Sequence, residues 1–457
     1  MKNGFSYDKS GWKYISVFGE PKDRGYAYGY LCAKEFKKIQ KMLDFFIMES
    51  YGKTWEFFIK HVNDDFKEMT KNDFNEFYQE MEGIAAGCTA AGTKTSLEEI
   101  LAWNFYLSIP YWYSQESGTR IGKEGGAKDR CSAFIAVGDY TSDGKIVVAH
   151  NSFCDYIDGQ YSNVILDLTP SKGHRMIMQT SPCWIWSGTD FFITSKGIIG
   201  TETTIGGFLP YEKKIPIGYR IRQAMQYGNT LDEYVEILLK GNSGDYANAW
   251  LFGNIETNEI LRIELGLKFH KVERTTNGYF IGFNAAYDPQ IRNIECANSG
   301  FYDVRRHQGA RQVRLEELMD EHKGKINIAI AQKIISDHYD VYLHKDNPCS
   351  RTVCSHYDLD AREYMSQSDR PKPFSPHGAV DGAVVDSNLA KKMTILMRYG
   401  NSCGIPFIKD TFCDKHMQWN IFRPYLMDRP SEPWTEFSIA KLGKKSRFSR
   451  KIRKLNV

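Results

Sequence analysis

The sequence predicts an α+β protein in which antiparallel sheets are covered by helices. Three observations lead there: helical spacings dominate before residue 131, short apolar or alternating runs cluster after it, and helices return between later strands. Single strands do not alternate with single helices, as a doubly wound parallel sheet would require.

Residues 72–87 place Phe74, Phe77, Met81 and Ile84 at spacings of three and four, which predicts a helix stopped by Gly87. Ser96 and Glu99 form a capping-box pattern that opens a helix over residues 100–107. Residues 115–130 are polar and glycine-containing and read as a linker. Strands are predicted at 132–137, 145–150, 163–169, 175–179 and 191–194, separated by glycine, proline and the turn ending at Gly144. Helices follow at 219–227 and 234–240, the second behind a Thr230 to Glu233 capping box and stopped by Gly241. Three more strands at 249–253, 260–265 and 279–284 precede helices at 310–319 and 326–336. The chain has no internal repeat and no glycine-rich phosphate loop.

Composition bounds the function. Hydrophobic residues make up 42%, aromatics 14% and charged residues 25% of 457 residues, enough apolar side chain for a large core. A net charge of +3 makes no case for specific nucleic-acid binding. The exception is residues 441–457, a tail dense in lysine and arginine that reads as a solvated terminus or as a peripheral contact with an anionic membrane. Residues 1–19 carry Lys2, Asp8, Lys9 and Lys13 and no continuous apolar stretch, so neither a signal peptide nor a membrane span is read there and a cytoplasmic location is expected. Ten cysteines are too sparse for a disulfide scaffold, although Cys349 and Cys354 could bridge in an oxidising setting. There is no CxxC pair typical of zinc sites, so no metal and no cofactor are expected.

Cys131 is the first candidate for chemistry. It opens a predicted strand directly behind the linker, where cleavage of the chain would make it a new amino terminus. An α-amine titrating at about 7.7 to 8.0 beside a thiol at about 8.5 is matched for proton transfer near neutral pH. The bland alternative is a buried strand cysteine. Polar residues also stand at strand ends where apolar ones would pack: His150 and Asn151, Thr201 to Thr204, Asn248 and Asn284. Each alone reads as a structurally satisfied polar group; the combination is more informative.

Across these residues the chain resembles the phospholipase B-like family of amino-terminal-nucleophile hydrolases, and more distantly the penicillin-acyltransferase-like cysteine enzymes. The resemblance runs in order through residues 131–133, 149–153, 187–192, 201–206, 242–250, 347–359 and 377–383, and upstream through Gly25 to Gly29 and Glu82 to Gly87. Phe153 stands where the family usually has tryptophan. The resemblance implies a four-layer αββα sandwich of two antiparallel sheets over residues 131–440, preceded by a helical segment over residues 1–114.

It also implies that Cys131 cuts the Arg130–Cys131 bond and then serves as the catalytic nucleophile, hydrolysing acyl ester or amide bonds through an acyl-enzyme. Asn248 with Thr203 or Thr204 would stabilise the oxyanion, and His150 and Asn151 would orient the amine and the substrate, with His150 as general base the competing role. Phe153, Trp184, Trp186, Phe191, Phe192 and Phe208 are candidate walls of an acyl pocket, and Asn284 a further pocket residue. The expected partner is a small acyl substrate, a phospholipid among the options. Transfer of the acyl group to an amine, or a non-catalytic lipid-binding protein of the same fold, are the alternatives.

Overall fold

The computed structural model describes residues 1–116, 131–297, 299–361 and 373–440. Along the chain run β1 (Gly4–Lys9), β2 (Trp12–Gly19), α1 (Pro21–Tyr51), α2 (Trp55–Asp73), α3 (Asn75–Ala90), α4 (Leu97–Asn104) and α5 (Ile109–Glu116). Next come β3 (Cys131–Gly138), β4 (Gly144–Asp155), α6 (Tyr156–Gly159), β5 (Val164–Pro170), β6 (Met176–Thr180), β7 (Phe191–Thr194) and β8 (Ile198–Thr204). The helices α7 (Ile217–Tyr227) and α8 (Leu231–Leu239) lead into β9 (Asn248–Asn254), β10 (Glu259–Leu265), β11 (His270–Thr275) and β12 (Gly278–Gly282). The rest is α9 (His307–Glu321), α10 (Ile328–Ile335), β13 (Tyr339–Asp340), β14 (Lys345–Asp346), β15 (His377–Ala379), β16 (Asp381–Asp386), α11 (Ser387–Lys391), β17 (Thr394–Tyr399), α12 (Lys409–Lys415) and β18 (Thr435–Ser438).

A nine-stranded sheet has the order β1-β2-β5-β6-β7-β8-β9-β10-β11, and a seven-stranded sheet the order β12-β3-β4-β16-β17-β18 with β15 also on β4. Period-two alternation explains the layering. On β3, Ala133, Ile135 and Val137 join Ile165, Ile177, Ile199 and Leu251 of the other sheet in a core between the sheets. Phe134 and Ala136 point the other way, onto Leu315 and Met319 of α9 and Ile334 and Ile335 of α10. The outer face of the nine-stranded sheet carries α1 to α4, α7 and α8 in a single core, so residues 1–114 pack as part of the sandwich. The expected αββα arrangement is therefore present, with one departure: β2 and β5 pair in parallel.

The serine and threonine caps of both predicted boxes form. Ser96 Oγ accepts from the Glu99 amide at 3.1 Å and Thr230 Oγ1 from the Glu233 amide at 3.2 Å. The amino-terminal segment is not purely helical, because β1 and β2 make a hairpin whose turn residues, Ser10 and Gly11, both have positive φ. Gly87 does not stop its helix, since α3 continues to Ala90. It belongs instead to a close crossing of α1 and α3, where a Cβ on Gly87 would lie 2.1 Å from the Tyr26 carbonyl oxygen and one on Gly29 2.1 Å from that of Ile84. The crossing is held by Arg24, which bonds the buried Glu80 at 2.6 Å; Arg222 of α7 bonds the same carboxylate at 2.9 Å. Because the obstacle is backbone, Gly29→Val is expected to cost at least about 1–3 kcal/mol. A melting curve compared with that of the unmodified chain checks this.

All ten cysteines are free thiols, Cys349 and Cys354 included. Among the described residues no helix is long and apolar enough to cross a membrane. Arg130, most of the linker and the basic tail lie outside the described residues.

Candidate active site

Cys131 begins β3 at one end of the sandwich, opposite Ser152 of β4, and is buried. Its backbone is held from two directions. The amide donates to Asn284 Oδ1 at 3.3 Å, and the carbonyl accepts from Nη1 of Arg311, a buried residue of α9. Arg311 also donates to Ser132 Oγ at 3.0 Å and to Asn284 Oδ1 at 2.7 Å, and its guanidinium lies 5.0 Å from the centre of the Phe153 ring. Asn284 Nδ2 donates to the Thr204 carbonyl at 2.7 Å, so this one side chain ties the start of β3 to the end of β8 in the other sheet. Asn284 follows β12 with φ of 66°, a left-handed conformation that asparagine tolerates better than most residues.

The Cys131 sulfur faces acid. A carboxylate oxygen of Asp190 and one of Glu202 lie within 4.8 Å of the sulfur and of each other. The Tyr246 hydroxyl stands 3.0 Å from Glu202 Oε1 and 3.2 Å from Asp190 Oδ2. Oriented to satisfy its neighbours, the Asn248 amide donates to Glu202 Oε2 and to the Ala247 carbonyl, both at 2.8 Å. Burial, and then the charges of Glu202 and Asp190, hold the Cys131 thiol well above its ordinary range, so the sulfur is protonated at neutral pH. Asp381 is pushed up to about 6 by burial, against the bonds it accepts from the Ser152 amide at 2.8 Å and Gln179 Nε2 at 2.6 Å. A cavity of about 30 Å³ opens on Cys131 and is lined also by Phe153, Trp184, Asp190 and Tyr246, with Trp103 contributed by α4.

The phospholipase B family model matches residues 24–262, just over half of the chain and including Cys131, Asp190, Glu202 and Asn248. The chain belongs to the phospholipase B family. An uncharacterized protein of Archaeoglobus fulgidus is 26% identical over 250 residues, 52% of this chain and 41% of that protein's length. The solved structure of a conjugated bile acid hydrolase variant from Clostridium perfringens superposes with a TM-score of 0.29 at 10% identity, covering 60% of this chain and 82% of that one.

Not every expected site residue of this phospholipase B family member lies at the sulfur. Asn248 adjoins Glu202, with both amide hydrogens engaged there and on the backbone. Asn151 pairs with Ser132, one residue out of phase with Cys131, and so faces the opposite side of the sheet. There its amide donates to the Ile335 carbonyl at 3.0 Å, the Val353 carbonyl at 3.3 Å and Ser402 Oγ at 3.1 Å, which explains a buried asparagine structurally. Thr203 wedges against Gly282 across the sandwich, and the buried Thr203 and Thr204 hydroxyls make no hydrogen bond among the described residues. Phe153 and Trp184 line the cavity, whereas Trp186, Phe191, Phe192 and Phe208 pack in the main cores. Arg311, an arginine within a helix, carries no local mark of a site, whereas Asp190, Glu202, Tyr246 and Asp381 lie inside the segments that carry the resemblance and are told apart from their neighbours only once the sheets close. Nor does the expectation of no ligand cluster hold, since His338, Cys354, His356 and Cys403 converge from distant segments.

His150 is on the inward face, opposite Ala133 and Ala383, and neither ring nitrogen makes a hydrogen bond of good geometry. Burial pushes it down to about 3, so it is neutral in the fold. The unfolded chain, with histidine near 6.5, then binds a proton that the folded chain does not, and stability falls as pH drops from about 6.5 toward 3. Between pH 7 and 5 this amounts to about 2 kcal/mol. Chemical denaturation at both pH values is expected to show that much less acid loss in His150→Phe than in the unmodified chain.

Proposed function

We propose that this phospholipase B family member is a self-processing cysteine hydrolase that cleaves acyl ester or amide bonds, with Cys131 as both the processing and the catalytic nucleophile. The observation that carries the reading is the setting of Cys131: first residue of a central strand, backbone clamped by Asn284 and Arg311, sulfur at a cavity beside two buried acids.

In processing, the Cys131 sulfur attacks the carbonyl carbon of residue 130. The carbon–nitrogen bond breaks, the thiol proton passes to the departing nitrogen, and a thioester and a free α-amine result; water then hydrolyses the thioester. The buried thiol needs a proton acceptor for the attack, and Asp190 and Glu202 are the groups within reach. Cleavage changes the electrostatics of the site. The same acids that disfavour a thiolate favour a protonated α-amine, and an adjacent ammonium in turn lowers the cost of the thiolate. Asn284 Oδ1, which accepts from the Cys131 amide in the uncut chain, is placed to hold that amine.

In turnover the sulfur takes the acyl group from an ester or amide, the amine returns its proton to the leaving alcohol or amine, and water completes the cycle. A cavity of about 30 Å³, far below the roughly 300–1,000 Å³ of ligand pockets, admits an acyl chain only after its walls move, with Trp184 and Phe153 as the apolar surfaces to receive it.

The test is amino-terminal sequencing and intact mass of freshly purified protein, followed by incubation with lysophospholipids and N-acyl amides. A second chain beginning at Cys131, together with release of fatty acid from either substrate class, supports the proposal. A single uncut chain that is inert toward both classes overturns it.

A further inference from the structure

A second cluster of reactive side chains adjoins Phe153, which also lines the cavity. Phe153 packs with Cys354 and Ala379, and Cys403 lies against them. Two histidines complete the group: His338, just before β13, and His356, two residues after Cys354. One ligand atom from each of His338, Cys354, His356 and Cys403 lies within 4.8 Å of all the others. His356 Nε2 is 3.5 Å from Cys354 Sγ and 3.4 Å from Cys403 Sγ. A tetrahedral zinc ion with sulfur and imidazole ligands at their usual bond lengths sets sulfur-to-nitrogen separations of about 3.6 Å. Both measured sulfur-to-nitrogen separations are close to that value, and the remaining ligand atoms lie within 4.8 Å of them.

Hydrogen bonding alone does not account for the arrangement. A single ring nitrogen carries one proton or one lone pair, yet two sulfurs converge on His356 Nε2. Among the described residues the buried His338 Nε2 makes no hydrogen bond of good geometry, and His356 Nδ1 lies 3.7 Å from Asp358 Oδ1, beyond hydrogen-bond distance. An ion at the centre uses all four ligands; the bond that Cys403 Sγ donates to Asn401 Oδ1 at 2.9 Å is given up when that thiol loses its proton to the metal, and two other contacts fit the surroundings of a bound ion. A carboxylate behind a ligand histidine and a backbone N–H on a ligand sulfur are common supports. Here Asp358 is the carboxylate, and the Ile405 amide donates to Cys403 Sγ at 3.4 Å. Two thiolates neutralise a divalent charge, so no net charge is left in the interior.

We propose that His338, Cys354, His356 and Cys403 bind one zinc ion as a closed structural site. Two sulfurs and two imidazoles select zinc over magnesium or calcium, and four protein ligands leave no position for substrate. The ion ties together the exit of α10, the turn around Cys354 and the loop after β17. Asn151 spans the same three segments, bonding Ile335, Val353 next to Cys354, and Ser402 next to Cys403. It thereby holds the ligands in place from the β4 side, two residues from Phe153.

The experiment is metal analysis of the reduced full-length chain purified without chelator, followed by replacement with cobalt. The expected result is one zinc per chain, a cobalt form with the strong visible bands of tetrahedral coordination and a thiolate-to-cobalt charge-transfer band, and loss of both in Cys354→Ser and Cys403→Ser. Cys296→Ser, outside the cluster, is expected to keep them. Reduced wild type that takes up neither zinc nor cobalt overturns the proposal. So does stoichiometric zinc that survives both cysteine substitutions, because the ion would then sit elsewhere. The wild-type cobalt spectrum needs no substitution and no enzymatic activity, so it stands whether or not the chain cuts itself.

Discussion

Cys131→Ala is expected to remain a single 457-residue polypeptide and to release no acyl product from any substrate the wild type cleaves. The substitution removes the only atom that can form the thioester, while the strand that carries it keeps its partners on β4 and β12. Folding should therefore survive: one buried sulfur is lost beside a small existing cavity, and the melting temperature is expected to stay close to that of the uncut chain. Cys131→Ser sharpens the result. A hydroxyl can attack the same carbonyl, but it is a poorer nucleophile in a site built around a larger, more polarizable atom, so slow cutting with strongly reduced turnover is expected. Intact mass over days and a fatty-acid release assay measure both. A Cys131→Ala chain that is still cut at residue 130, or that still turns over, would show that another residue does the chemistry.

The second large effect belongs to Arg311. Its guanidinium serves the Cys131 carbonyl, Ser132 Oγ and Asn284 Oδ1 at once and covers the Phe153 ring, all in the buried interior. Arg311→Met leaves those acceptors without their donor, at about 1–3 kcal/mol for each one that finds no replacement. It also frees the backbone of the nucleophile, and a displacement of about 1 Å at a reacting atom costs roughly 100-fold in rate. Expected results are a marked drop in denaturation midpoint and processing slowed by about that factor. Arg311→Lys is expected to rescue neither, because an ammonium cannot span three acceptors that a planar fork reaches together. Arg314→Met, one turn further along α9 and paired with Asp337, is the control that should lose stability without slowing the cut. Equal processing rates in the Arg311 and Arg314 variants would reduce Arg311 to a packing residue.

Much of the fold was legible because it rests on local patterns. The strands β3 to β7, β9, β10 and β12 follow short apolar or alternating runs, whereas β8 and the mostly polar β11 fall outside the predicted strands, and the helices α4 and α8 announce themselves by a threonine or serine three residues before a glutamate. The hairpin β1–β2 was not legible: Phe5 and Tyr7 are exposed and β1 is mostly polar, so alternation there has no buried partner to mark it. The strands β15 to β18 are short and follow loops, and their pairing with β4 or with one another is decided over more than two hundred residues of chain in the case of β16. Gly87 was misread because a glycine near a helix end and a glycine at a helix crossing look alike until the other helix is in place.

What the sequence determined by itself is the family and the residue to propose as nucleophile. A cysteine opening an apolar strand behind a polar linker, followed in order by several short motifs, points to Cys131, and the family match confirms the resemblance across residues 24–262. What only the tertiary structure decided is which side chains surround it. Strand phase sends Asn151 away from Cys131 although its neighbour His150 faces inward, and sheet packing brings Asp190, Glu202 and the helix-borne Arg311 to one thiol. The His338, Cys354, His356 and Cys403 cluster arises the same way, from segments separated by up to 65 positions that no linear spacing connects. The reason is physical: local sequence sets backbone conformation and which face of an element is apolar, whereas burial brings charges and thiols together only when the layers close.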